Sequence, residues 1–549
     1  MQGVALWGGE CARRIRLDPR GCSQQGDWSR VGERTFGRGF AITASVAFGG
    51  RDRRSVHLEE DERERPDMDE LWRYDAAGLA ELIRAKQVSS LEVTDAAISR
   101  IETLNPILNA VIVDRFEQAR KEARLNRSGS FAGVPLLLKD LGAAQEGEPF
   151  WLGSAVLRNA DYRAPVTSYY VQALLDAGFI VIGRTNAPEF GTNITTEPVS
   201  TGATRNPWNL EYSSGGSSGG SAVAVATGMA PVGQASDGGG SIRFPASYCG
   251  LVGLKPSRGR VSKGPLAGDG WAGSTIDGAL TRSIRDAAVV LDVMAGYRSG
   301  DPYTAPAFAR PLIEEVNQPV RRLRIGVLDH PLLRAAQADP RVTEAVRAVA
   351  DLLGQHGHMV EEAWPEALGE EEFQPRFVDV VKGSIAQQLR SIERMLGRSV
   401  DLDEIESDNR VFVELGRQLP AYRYVESVDW LQAYGRRVAK FFEIDGYDLL
   451  LTPVAPRLPP KLGYLSDPKL GLDRQLEFLG FTGQFNVSGQ PTISLPLAMS
   501  SGEDPLPIGI QLVAAYGHED LLIRIGSWLE QAMPWAGRWP TIALAGPPA

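Results

Sequence analysis

Apolar residues recur along this chain in two alternating rhythms from residue 68 onward. "AAGLAELIRAK" spaces its apolar positions as a helix does, behind Asp75 as N-cap, and "SSLEVTDAAISRIETL" repeats the pattern with Ser89 and Glu92 at capping-box spacing. "NAVIV" and "VPLLL" are short unbroken apolar runs of strand length, with a third helical pattern, "RFEQARKEARLN", between them. "TSYYVQALLDAGFIVIGRTN" reads as a helix, a stop at Gly178 and a buried strand. Beyond residue 260, "RSIRDAAVVLDVMAG" is helical, "RLRIGVLD" is a strand, and "DPRVTEAVRAVADLLGQHGHMVEEA" is a helix leading into another strand. Residues 365–445 are helical and read as a cap over a cleft, and "YDLLLTPVAP", "PTISLPLAM" and "PIGIQLVAA" return to strands. This alternation predicts an α/β fold: one large domain over residues 68–549, with a mixed central β-sheet covered by helices on both faces.

The first 67 residues break the rhythm. They contain arginine but no lysine and keep no helical or strand period. Their apolar patch, "RGFAITASVAFGG", lies too deep and is followed by too many acids for a signal peptide. Residues 1–67 are read as a disordered extension or a mis-called start, with Met68 as the natural first residue. Over the whole chain of 549 residues the formal net charge is −10, which argues against a nucleic-acid or anionic-membrane partner and favours a small molecule. No run of 18 apolar residues occurs, so no spanning helix is expected. Cys11, Cys22 and Cys249 match neither a disulfide framework nor zinc-ligand spacing, which fits a reducing cytoplasm and no metal. Cys249, in "PASYCGLVG", reads as a buried packing residue.

Chemistry concentrates in "EYSSGGSSGGSAVAVATGMAPVGQASDGGGSIRFPAS", residues 211–247. A flexible linker is disfavoured because apolar, structure-forming sequence follows both glycine-serine clusters. A phosphate cradle is disfavoured because neither cluster completes a phosphate-binding motif. Gly216, Ser218 and Gly220 satisfy the G-x-S-x-G elbow of α/β-hydrolases, yet "NLEYSSG" is a poor preceding strand. The five histidines, His57, His330, His356, His358 and His518, all lie far off in sequence. A serine esterase using Ser218 and a distant histidine stays open as an alternative. A serine can also be activated by a lysine that burial has made neutral. "AGVPLLLKDLG" places Lys139 at the end of a buried run, and strand alternation turns Asp140 to the opposite face. In "SDGGGSIR", the backbone N–H groups of Gly238, Gly239, Gly240 and Ser241 can converge on one oxygen, an oxyanion hole before a helix start.

"GGSSGGSAVAVATG", then "SDGGGSIRFPASYCGLVGLKPSRGRVS", with "GVPLLLKD" upstream, resemble the amidase signature family of serine hydrolases, and the likeness runs from about Leu71 to residue 535. The resemblance implies a Ser-cisSer-Lys triad of Ser241, Ser217 and Lys139, with Ser217 following a cis peptide from Gly216. It implies that Asp237 and Arg243 hold the nucleophile loop and that no cofactor is needed; Ser218 reads either as a support that hydrogen-bonds Lys139 or as a generic loop serine. The loop departs from the commoner Thr-Asp-Thr-Gly-Gly-Ser by a glycine at 238. "GATRNPWNL", "WPEALG" and "IGIQLVAAYGHEDLL" are similar to a branch that opens nylon oligomers such as the 6-aminohexanoate cyclic dimer. The expected partner is therefore a small-molecule amide, with linear, cyclic, aryl and carbamate forms open, and a homodimer is compatible with the reading. An ammonia-delivering amidotransferase subunit is the other alternative within the family. Trp151 and Trp271 are candidates for walls of an apolar cleft.

Overall fold

The computed structural model describes residues 66–125, 127–332, 337–502 and 504–545, so the expectation for residues 1–65, His57, Cys11 and Cys22 included, lies outside the described residues. The strands are β1 (Val111–Asp114), β2 (Pro135–Lys139), β3 (Ile180–Thr185), β4 (Val232–Asp237), β5 (Val252–Lys255) and β6 (Ile276–Thr281). They continue with β7 (Arg324–Val327), β8 (Met359–Glu362), β9 (Leu449–Pro453), β10 (Thr492–Met499) and β11 (Pro507–Ala514). All join one sheet in the order β1-β3-β2-β4-β6-β5-β10-β11-β9-β7-β8. It is mixed, as the alternation predicts: β2 runs parallel to β3 and β4, whereas β4 runs antiparallel to β6.

The unbroken apolar run at β2 follows from burial on both faces. Leu136 and Leu138 enter one core with Val171 and Leu174, while Leu137 enters another with Ala222 to Ala226 of the helix Gly219–Ala226. Local signals set the helix starts: Asp75 accepts from the Gly78 N–H, and Ser89 and Glu92 complete a capping box. At Gly178, φ is +96° and an added Cβ would lie 2.6 Å from the Ala132 Cα, so both conformation and space demand glycine there.

Residues 365–445 form the helices Phe373–Leu396, Ser407–Gln418 and Ala421–Glu443. Their apolar faces share a core with Phe150, Phe190, Leu450 and Val513. Among the described residues no helix is long and apolar enough to cross a membrane.

Candidate active site

Because β2 and β4 are parallel, Lys139 and Ser236 come to the same edge of the sheet, where the strands end. Lys139 shares its face of β2 with Leu137, the face covered by the helix Gly219–Ala226, and the segment entering that helix brings in Ser217. The Lys139 Nζ donates to Ser217 Oγ at 2.7 Å and to Ser236 Oγ at 3.0 Å, and the lysine is fully buried. Burial lowers its pKa to about 7; Asp277 and Asp237 pull it back up, and Lys263 adds to the lowering. Asp140 points the other way, as alternation requires, accepting from the Trp151 N–H at 2.8 Å and the Gly153 N–H at 3.0 Å. The Gly216–Ser217 peptide bond is cis. A Cβ at Gly216 would stand 2.6 Å from the Thr195 backbone nitrogen, so only glycine lets the two backbones approach.

The loop that carries Ser241 hangs on a buried ion pair. Arg243 donates to both Asp237 oxygens, from Nη2 at 2.9 Å and from Nε at 3.0 Å, with neither side chain exposed. Burial alone would raise the Asp237 carboxyl; the Arg243 guanidinium overrides it and holds the group well below the usual carboxylate range. Arg243 also donates to Gln511 Oε1 at 2.9 Å and Asn486 Oδ1 at 2.5 Å, and Asn486 Nδ2 returns a bond of 2.8 Å to Asp237 Oδ1. Thr482 Oγ1 donates to the Gly239 carbonyl at 2.6 Å. Asn486 and Thr482 come from the "FTGQFNVSGQ" segment, Gln511 from β11, and none was assigned a role from the sequence.

Two expectations need correction. The Gly240 N–H does not face an oxyanion: it donates to Asp237 Oδ1 at 2.7 Å, and one N–H committed to a carboxylate has no proton left for a second acceptor. The Ser218 hydroxyl does not reach Lys139 but donates to the Ser236 carbonyl at 3.3 Å, and the side chain on the amine is that of Ser236. Ser236 is polar in the buried strand "VGQASD", but its partner follows from strand register, which no local signal encodes.

Ser217, Ser236, Ser241 and Gly238 line a cavity of about 1060 Å³. No hydrogen bond joins the Ser217 and Ser241 hydroxyls among the described residues, although both face this space. Phe150, Leu152, Tyr162, Phe190, Trp271, Tyr303, Tyr424 and Val425 are among its apolar and aromatic lining. Trp271 is a wall as expected, whereas Trp151 is not among the lining residues. Gly238 now has a spatial explanation: an added Cβ would sit 2.9 Å from the Trp271 ring and 3.2 Å from Thr275 Cγ2. No described histidine lines the cavity; His330 bonds Asp329 and His518 lies against Asp520, so among the described residues the Ser218 elbow has no histidine base. Cys249 is buried, as expected, and burial pushes its thiol pKa up.

The family model described as "Amidase" matches residues 92–523. The chain is 42% identical over 485 residues to 6-aminohexanoate-cyclic-dimer hydrolase of Pseudomonas sp. (strain NK87), covering 86% of this chain and 97% of that one. Identity and coverage are the same for the hydrolase of that name from Paenarthrobacter ureafaciens. A solved structure of 6-aminohexanoate cyclic dimer hydrolase complexed with substrate superimposes with a TM-score of 0.83 at 41% identity, over 86% of this chain and 99% of that one. Relatives at this level carry the name of hydrolases, which disfavours the ammonia-delivering alternative.

Proposed function

The chain belongs to the amidase family and hydrolyses amide bonds, and we propose that Ser241 is its nucleophile, Ser217 its proton relay and Lys139 its base. The observation that carries this reading is a buried amine held near neutrality, 2.7 Å from one serine hydroxyl and in the same site as a second serine. A serine hydroxyl attacks a carbonyl only as its proton leaves, and an amine with a pKa near the working pH is suited to take that proton.

In this mechanism Ser241 Oγ bonds to the substrate carbonyl carbon as its proton passes to Ser217 Oγ, and the Ser217 proton passes to Lys139 Nζ. The carbonyl oxygen of the tetrahedral intermediate accepts from the backbone N–H groups of Gly238, Gly239 and Ser241. As the C–N bond breaks, the proton returns through Ser217 to the departing nitrogen and leaves Ser241 acylated. Water then gives a proton to the same relay as it attacks the ester carbon, and when the C–O bond to Ser241 breaks that proton returns through Ser217 to Ser241 Oγ and the acid is released. Asp237 and Arg243 keep the loop in place for both steps.

The substrate we propose is a polymethylene amide, the 6-aminohexanoate cyclic dimer or a linear relative. Its support is the 42% identity to hydrolases of that dimer together with a roomy cavity walled by Phe150, Leu152, Phe190 and Trp271. Helices from the 365–445 region contribute Ser384, Gln387 and Tyr424 to the same cavity, which supports their reading as a cap. The test is a panel of linear and cyclic 6-aminohexanoate amides, aryl amides and carbamates, read by mass spectrometry with Ser241→Ala as the blank. The polymethylene amides are expected to be cleaved fastest, with an acyl adduct trapped on Ser241. An adduct on any other residue would overturn the mechanism, and aryl amides cleaved fastest would overturn the substrate.

A further inference from the structure

The proposed base has a second buried polar cluster beside it that the relay does not use. Asp277 on β6 is the cross-strand partner of Ser236 on β4. Directly opposed residues of an antiparallel pair carry their side chains on one face with Cβ atoms about 5 Å apart. The Asp277 carboxylate therefore lies one strand beyond the Ser236 hydroxyl, which itself accepts from Lys139 Nζ. Both its oxygens are engaged elsewhere. Lys263 Nζ bonds Oδ2 at 2.6 Å, the Tyr170 hydroxyl donates to Oδ1 at 3.3 Å, and Gln234 Nε2 donates to the Tyr170 oxygen at 3.3 Å. Asp277 is buried, Lys263 is largely so, and both face the cavity.

An unpartnered carboxylate in this position would draw a proton onto the Lys139 amine and disable it as a base, the direction in which Asp277 acts on it. The other acids near Lys139 are more fully compensated, although Asp237 still draws its pKa up. Asp237 is neutralised by Arg243, Asp140 accepts backbone amides on the far face, and Arg184 of β3 is turned to the Lys139 and Ala143 carbonyls. Ser217 and Ser236 carry no charge. We propose that Lys263 is a positioning residue for the relay: by clamping and neutralising Asp277, it keeps the Lys139 amine free to accept the Ser217 proton.

The proposal rests on Lys139 being the base, and its test separates the two. The readout is the second-order rate at which a fluorophosphonate probe labels the nucleophilic serine, measured from pH 5 to 10, which requires no knowledge of the substrate. An opposite charge within about 4–6 Å favours a charged form by about 1–3 pKa units. Lys263→Gln is therefore expected to move the acid limb of the profile up by at least about one pH unit, a loss of about tenfold or more at pH 6, with the plateau at high pH retained. Asp277→Asn, which keeps the shape, is expected to leave the limb in place or move it down. The double variant is expected to return within a few tenths of a unit of the wild type, and Lys263→Arg to restore the limb. A Lys263→Gln profile that coincides with the wild type, or one lowered equally at every pH, would overturn the proposal, since a merely structural role lowers the whole curve. Labelling that persists in Ser241→Ala, or a wild-type profile without an acid limb, would instead overturn the relay itself.

Discussion

Replacing Lys139 with methionine removes an amine from a fully buried position while keeping an unbranched side chain of similar length. In the unfolded chain that amine titrates near 10.5, and in the folded protein near 7, with burial the largest cause. The folded state therefore binds fewer protons than the unfolded state between those values, and stability rises with pH across that window. Converted at 1.36 kcal/mol per unit, the cost of burying Lys139 is about 4 kcal/mol at pH 7 and about 2 kcal/mol at pH 9. Packing differences between lysine and methionine do not depend on pH, so the change in the stability gap isolates the titration. Urea unfolding followed by tryptophan fluorescence is expected to show the Lys139→Met variant gaining on the wild type as pH falls, by about 2 kcal/mol from pH 9 to pH 7. The same variant should be inactive, and wild-type kcat/KM should fall tenfold per unit below about pH 7. A gap that stays constant with pH would mean that the amine keeps its solution basicity, and the relay would fail with it.

Other predictions follow from the same geometry. Ser236→Ala removes one of two hydroxyls on the Lys139 amine, and kcat/KM is expected to drop by about two- to tenfold, the worth of one ordinary hydrogen bond, with folding unchanged by circular dichroism. Gly238→Ser pushes a Cβ into the Trp271 ring and should abolish most activity, whereas adding Trp271→Ala should recover a measurable part of it; no recovery would mean that the clash is not the cause. Arg243→Met strands the buried Asp237 carboxylate, and urea unfolding should show a loss of about 3–5 kcal/mol. Asp237→Asn combined with Arg243→Met should lose less than Arg243→Met alone, because no unpaired charge stays buried.

Legibility in the sequence divides along one line. Element type was written locally: helical spacing behind Asp75 and Ser89, the unbroken run at β2 and the glycine at 178 each depend on neighbours a few residues away. Lys139, Ser217 and Ser241 were legible as candidates, the two serines from their glycine-rich settings and the lysine from its place at the end of an apolar run. The donors proposed for the oxyanion loop were only partly legible, since Asp237 captures the Gly240 N–H, which no local signal encodes. Trp151 and Trp271 looked alike in sequence, yet only Trp271 reaches the cavity.

What the chain determined alone was therefore its alternation of helices and strands and which serines and lysine stand as candidates for the proposed relay, because side-chain period and backbone permissiveness act over one or two turns. What only the tertiary structure decided was which polar groups meet. Ser236 rather than Ser218 touches the amine, Asp277 stands opposite Ser236, and Asn486 and Gln511 hold Arg243. Those meetings are set by strand register and by contacts spanning from about 40 to more than 260 residues, and the free energy that selects them is burial summed over the whole sheet rather than any local preference.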